Sequence, residues 1–198
     1  MQCLMKATFA IVVSGMLVSA CSTPVPPPEH AQITFTHLAP LNLNVSRVEV
    51  KNEYRAEASG NHVEDRFPVS PATALERWAT DRLKPVGGPA SGVLRLIVTD
   101  ASVVETGLKK DESVTGVFTH QQNLRYDLDA GGRIEIRDST GTRVAFAAAN
   151  ATRSITTRED LNLNEREKIW FDTTEKLMGD FNREMERNIR QYLSAWLR

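Results

Sequence analysis

The chain has 198 residues, 24 Lys and Arg against 25 Asp and Glu, and two cysteines, Cys3 and Cys21. A near-neutral balance with no basic cluster excludes nucleic-acid binding by a charged surface. It also leaves room for one domain with a real core, and no apolar stretch after residue 20 is long enough to span a bilayer as a helix.

In chain order, Lys6 is the first charged side chain, and residues 7–18 read ATFAIVVSGMLV. A charged start, a short apolar middle and small residues at the end describe a secretory signal rather than a membrane span. The end is Val18-Ser19-Ala20-Cys21. These four residues resemble the lipobox of bacterial lipoproteins. The resemblance implies cleavage before Cys21, diacylglycerol on its sulfur and an acyl chain such as palmitate on the new amino group. One acyl chain binds a membrane only marginally, whereas several make a stable anchor. The alternative is an ordinary signal peptide with a soluble product. Loss of residues 1–20 removes Cys3, so no disulfide can form within the mature chain, and Lys6, which shifts the formal charge from −1 to −2. Ser22 stands where enteric lipoproteins retained in the inner membrane carry aspartate, which by that resemblance implies sorting to the outer membrane, facing the periplasm.

Residues 21–30 then form the lipidated cysteine and a tether. Thr23-Pro24-Val25-Pro26-Pro27-Pro28 favours extended polyproline II at ~3.1 Å per residue, a semi-rigid stalk. A PxxP ligand for a partner is the alternative. Residues 31–198 are expected to form a single α+β domain.

Ile33 and Phe35 suggest a short strand. In LNLNVSRVEVK, Leu41, Leu43 and Val45 alternate with polar residues and so do Val48 and Val50, but the phase slips between them, which predicts a bulge or bend near Ser46 and Arg47. Residues 55–69 read as a loop. SPATALERWATDRLKP predicts a helix with Ser70 as N-cap, Pro71 in the first turn, an apolar stripe of Leu75, Trp78, Ala79 and Leu83, and a stop at Pro85 and Gly87-Gly88. GVLRLIVTDASVVE is apolar on both faces, an interior strand followed by an exposed loop, ETGLKKDES.

NLRYDLDAGGRIEIRD puts Leu124, Tyr126, Leu128, Ala130, Ile134 and Ile136 on even numbers and charges on odd ones. That is an antiparallel strand with one face in water. A two-residue hairpin at Gly131-Gly132 would mix apolar and charged residues on one face, so one long strand is expected, with a three-residue loop at 130–132 as the alternative. A three-residue turn at Ser139-Thr140-Gly141 places Asp138 opposite Thr142, Ile136 opposite Val144 and Phe146 opposite Ile134. The alanine-rich strand after it, VAFAAANAT, suits close helix–sheet packing; a partner's seat is the second reading.

The tail predicts a helix from Glu165 to Leu197, ~50 Å long, capped by Asn164 with Glu167, its last turns projecting past the sheet. Its stripe is Trp170, Thr174, Leu177, Phe181, Met185, Ile189, Tyr192 and Trp196. Asp172–Lys176 and Glu186–Arg190 are spaced as ion pairs, and Gly179 implies close packing. The order β-α-β-β-β-α gives an α+β two-layer sandwich, a mainly antiparallel sheet covered on one face by two helices. With the anchor, this order resembles the small lipoproteins that assist larger envelope machines: the lipopolysaccharide-assembly lipoprotein, lipoprotein activators of penicillin-binding proteins and auxiliary lipoproteins of ABC-type lipid transporters.

No nucleophile elbow, phosphate loop or paired-histidine spacing is present, so no catalytic residue, metal ligand or cofactor is assigned. His62, Glu64 and Asp65 in HVED, and Asp100, Glu105, Asp111 and Glu112, read as solvated groups. The expected function is a non-catalytic accessory or assembly lipoprotein that binds an envelope protein or lipid, with Tyr192, Trp196 and Leu197 as candidate partner contacts and Cys21 as the lipidation site. The alternatives are a lipid carrier, which needs an apolar cavity between helices and sheet, and a cell-wall glycan enzyme, which needs two carboxylates in a cleft.

Overall fold

A computed structural model describes residues 32–108, 122–158 and 160–198. Cys21, the tether and most of the ETGLKKDES loop lie outside the described residues.

The elements are β1 (Leu41–Leu43), β2 (Arg47–Asn52), α1 (Pro71–Arg82), β3 (Leu83–Pro85), β4 (Val93–Asp100), β5 (Val103–Gly107), β6 (Gln122–Arg137), β7 (Arg143–Arg158) and α2 (Leu163–Tyr192). The fold is α+β with a long C-terminal helix, as the hydrophobic periods require. β6 is one uninterrupted 16-residue strand, so neither hairpin at the glycines forms. β4 pairs antiparallel with its C-terminal half, from Val93 opposite Arg137 to Asp100 opposite Gly131. β5 pairs with the N-terminal half, from Val103 opposite Leu128 to Gly107 opposite Leu124. The stretch read as one interior strand therefore runs along one side of β6 in two pieces, with a register shift between Val98 and Asp100. β7 follows the other side of β6 along its length.

Two pairings were not legible. β2 joins β4 in parallel, Arg47 opposite Val93 through Asn52 opposite Val98. Parallel neighbours need a long crossover, and α1 sits in it. β1 instead pairs in parallel with β3 in a separate two-stranded sheet. The phase slip in LNLNVSRVEVK is thus the bend at residues 44–46, where the chain passes from one sheet to the other, and not a bulge within one strand. Ile33 and Phe35 form no strand, although both are buried.

Ser70 caps α1 by accepting the Thr73 N–H at 3.2 Å, with Pro71 at the first helical position. The helix ends at Arg82, before the glycines, because Leu83–Pro85 leave it to pair with β1. Asn162, not Asn164, caps α2: its side chain accepts the Glu165 N–H at 3.0 Å while Glu165 accepts the Asn162 N–H at 3.1 Å. The same capping box fits either register in LNLNERE, and the structure uses the earlier one.

Both helices cover the even-numbered face of β6. Leu94, Leu96, Tyr126, Leu128, Ile134, Trp78, Leu177, Phe181 and Met185 are fully buried there. Phe181 explains the second glycine of β6: a Cβ on Gly132 would lie 3.0 Å from its Cζ, so the bare backbone seats the ring. Trp78 meets Phe181 edge-on, with centroids 5.3 Å apart. Ala147, Ala149 and Ala151 of β7 are buried, and α2 packs directly over β7, the close approach that small side chains allow. Asn188 on α2 donates to the Ala148 carbonyl at 2.7 Å.

A polar lock ties the helices together. The Trp78 Nε1–H and Arg82 Nε–H both donate to Asn182 Oδ1, at 2.8 and 3.1 Å. Arg82, 1% exposed, also donates to Glu186 and to the Ala39 carbonyl. Arg82 lies four residues after Trp78, on the same helix face.

At the hairpin, Asp138 does stand opposite Thr142 and Gly141 takes φ +82°. A register shift between Ile136 and Arg137 then displaces the strand: Ala145, not Val144, faces Ile136, and Phe146 faces Glu135 rather than Ile134. Phe146 and Val144 consequently stand exposed on the open face of the sheet. Gly179 is not closely packed; an added Cβ would meet only Arg183 Nη1, at 3.8 Å. Asp172 pairs with Lys168 at 2.8 Å, one turn before the expected Lys176, and Glu186 pairs with Arg190 at 2.6 Å as expected.

Candidate functional site

The candidate contacts at the C-terminus are drawn apart by the way the chain finishes. α2 ends at Tyr192, and Leu193 is fully buried. Ser194–Trp196 make a 3₁₀ turn, so the tail does not project as a continuing helix. The Asn44 N–H donates to the Trp196 carbonyl at 2.7 Å, Leu197 bridges Leu43, and the Arg198 N–H donates to the Asn42 carbonyl at 3.0 Å. The tail thereby adds an antiparallel bridge to β1. Trp196 and Leu197 are half-buried against the core, whereas Tyr192 is 57% exposed.

The HVED loop brings two of its three polar residues together. Glu64 accepts the Tyr54 hydroxyl at 2.9 Å, and its other oxygen lies 3.6 Å from His62 Nδ1. Burial, and then Glu64, push the Tyr54 hydroxyl well above its ordinary range. Asp65 is exposed. Among the described residues no group of three or more His, Cys, Asp or Glu could hold a metal. Asp100 accepts the Ser102 N–H, Glu105 accepts from Asn61, and Asp111 and Glu112 lie outside the described residues.

The open face of the sheet holds a constellation that the odd-numbered charges did not reveal. Glu135 was expected in water, yet it is 2% exposed. Arg133 Nε and Arg137 Nε donate to it at 3.0 and 3.1 Å, Arg137 Nη2 at 2.6 Å and Arg143 Nη1 at 3.3 Å. Burial pushes its carboxyl pKa up, but the bonds from Arg137 and Arg143 and the neighbouring positive charges outweigh this and hold it below the usual range. Arg143 also lies over the Phe146 ring, 5.2 Å from its centroid. Two strands away, Glu49 is gripped by Arg95 at 3.1 and 2.9 Å and by Arg47 at 3.0 and 2.9 Å. The Arg95 bonds, then those of Arg47, lower its pKa.

Beside these pairs a cavity of about 370 Å³ opens between the start of β2, residues 89–92 and the β6–β7 turn. Arg47, Arg95 and Arg137 line it, with Glu49, Ser139 and Asp138. One oxygen of the Asp138 carboxylate, Oδ1, is occupied by its own turn, accepting the Thr140 and Thr142 N–H groups at 2.9 Å each and the Thr140 hydroxyl at 2.6 Å. The signal in the sequence was the spacing of arginines on outward strand positions: Arg47, Arg95, Arg133 and Arg137.

No family model matches the chain, and no curated protein matches it. Among solved structures it is similar to a minor lipoprotein from Acinetobacter baumannii, with 15% identity and a TM-score of 0.37 over 74% of this chain and 94% of that one. A likeness at that level bears on neither partner nor activity.

Proposed function

We propose that this chain is a lipid-anchored, non-catalytic envelope lipoprotein, held in the outer membrane with its domain facing the periplasm, where it binds an envelope protein or lipid as an accessory or assembly factor. The observation that carries this is Val18-Ser19-Ala20-Cys21 placed directly after a short apolar run. A multiply acylated cysteine holds a domain at a membrane without a spanning segment. In agreement, no helix among the described residues is long and apolar enough to cross a bilayer. The space between helices and sheet is filled by fully buried side chains such as Trp78, Phe181 and Leu96, which favours partner binding at the surface over carriage of a lipid inside.

Tyr192 is the candidate contact left open for a partner. A photoreactive residue at Tyr192, placed in living cells, is expected to capture a discrete envelope component. Even labelling of bulk proteins, or none, would remove that contact. Replacement of Cys21 by Ser is expected to release the domain from the membrane fraction, and continued processing with membrane retention would refute the anchor.

A further inference from the structure

We infer that the cavity at the start of β2 and β4 binds a phosphate or phosphomonoester group through Arg47 and Arg95, with Arg137 at its side. Three observations lead there, none of them dependent on the anchor.

The first is a local excess of positive charge in a chain that is formally negative. Arg47 and Arg95 hold Glu49, Arg133, Arg137 and Arg143 hold Glu135 beside it, and Asp138 lines the cavity with Arg47, Arg95, Arg137 and Glu49. Five guanidiniums thus stand with three carboxylates, and Asp138 Oδ1 already accepts three bonds within its own turn.

The second is preorganisation. Arg47 and Arg95 each spend Nε and Nη2 on Glu49. Those bonds fix both planes on one carboxylate and leave their Nη1 groups for another acceptor. An arriving oxyanion then meets guanidiniums already oriented by a carboxylate, Arg95 the more firmly since its side chain is the less exposed of the two. Arg137 is held in the same way by Glu135 and by the Gly141 carbonyl, which accepts its Nη1–H at 2.9 Å.

The third is shape. The cavity holds more than a bare ion, and Ser139 stands in its wall beside Arg137. Planar guanidiniums match the oxygens of a tetrahedral anion through charge-assisted bonds. A free phosphate and a phospholipid headgroup offer that same chemistry.

The test uses the purified full chain in detergent, with the arginine Nε–Hε signals followed by NMR. It is titrated separately with inorganic phosphate, a short-chain phosphatidic acid and a short-chain phosphatidylcholine. Saturable shifts of Arg47 and Arg95 with the first two, and not with the third, are expected. Equal affinities would identify the phosphate group itself as the ligand; at least tenfold tighter phosphatidic acid would identify a headgroup site. The double variant R47Q/R95Q should weaken binding about tenfold or more, since it removes charge-assisted bonds. R125Q, at the far end of the same sheet face, should leave binding unchanged, and circular dichroism should show all variants folded. The absence of any saturable shift, or an equal loss in R125Q, would overturn the assignment.

Discussion

The two faces of the sheet both bury side chains, by opposite means. Under the helices, Trp78, Phe181, Leu96 and Ile134 exclude water by apolar contact, and one polar lock around Arg82 crosses between helices. On the open face, the carboxylate of Glu135 is as hidden as many core residues, yet what hides it is a collar of three arginines. Apolar contact is non-directional and involves no titrating group, whereas an ion-paired cover depends on each partner's charge. The first face is built to hold the fold. The second holds its buried charge by ion pairs.

The contrast is broken most directly at Phe181. Phe181→Ala should cost about 3–5 kcal/mol, because the cavity would open between Trp78 and Gly132 where neither can move in. Denaturant unfolding would measure it, and a loss near that of a surface site would mean that the helix-covered face is loosely packed. Arg82→Ala comes next, at about 3 kcal/mol, since it breaks the ion pair of a buried arginine with Glu186 and removes one of the two donors to Asn182.

The open face should respond to pH instead. Glu135→Gln is expected to cost about 1–3 kcal/mol near neutral pH, within the range for hydrogen bonds to charged groups. The sign follows from its lowered pKa. The stabilisation is fully present above the unfolded value of about 4.3, and it is lost as pH falls through the lower folded value. Glu49 acts in the same direction. Wild type should therefore lose stability on acidification below about pH 4.5, and Glu135→Gln should flatten that part of the profile. Identical acid profiles would show that the arginine collar contributes nothing.

Smaller effects sharpen the picture at the margins. Gly179→Ala should stabilise by about 0.5–1 kcal/mol and raise the melting temperature by a few degrees, because helix propensity improves and the added methyl meets no wall. Phe146→Ser should change stability by no more than about 0.5 kcal/mol, as expected for an exposed side chain outside the core.

What could be read in advance were the elements with a repeated local signal. α1 carries its cap, its proline and its stripe between Ser70 and Leu83, and β6 keeps its parity from Leu124 to Arg137. β1 and β3 have three residues each and find one another across forty positions, so no local period announces them. Phe146 was misplaced because parity counted from the turn assumes a regular ladder, and the shift at Ile136 moved every later pair. Glu135 was misread because a charge on an alternating strand suggests water, while its burial depends on arginines from β6 and β7 together. Arg82 was there to be found: four residues after Trp78, it had to share the covered face.

Intact-mass analysis of the chain extracted from membranes bears most directly on how it is held there. The expected mass is that of residues 21–198 plus a diacylglycerol and an amide-linked acyl chain, all of it lost to solution in Cys21→Ser. A chain that retains residues 1–20, or begins at Cys21 with an unmodified thiol, would contradict the lipid anchor.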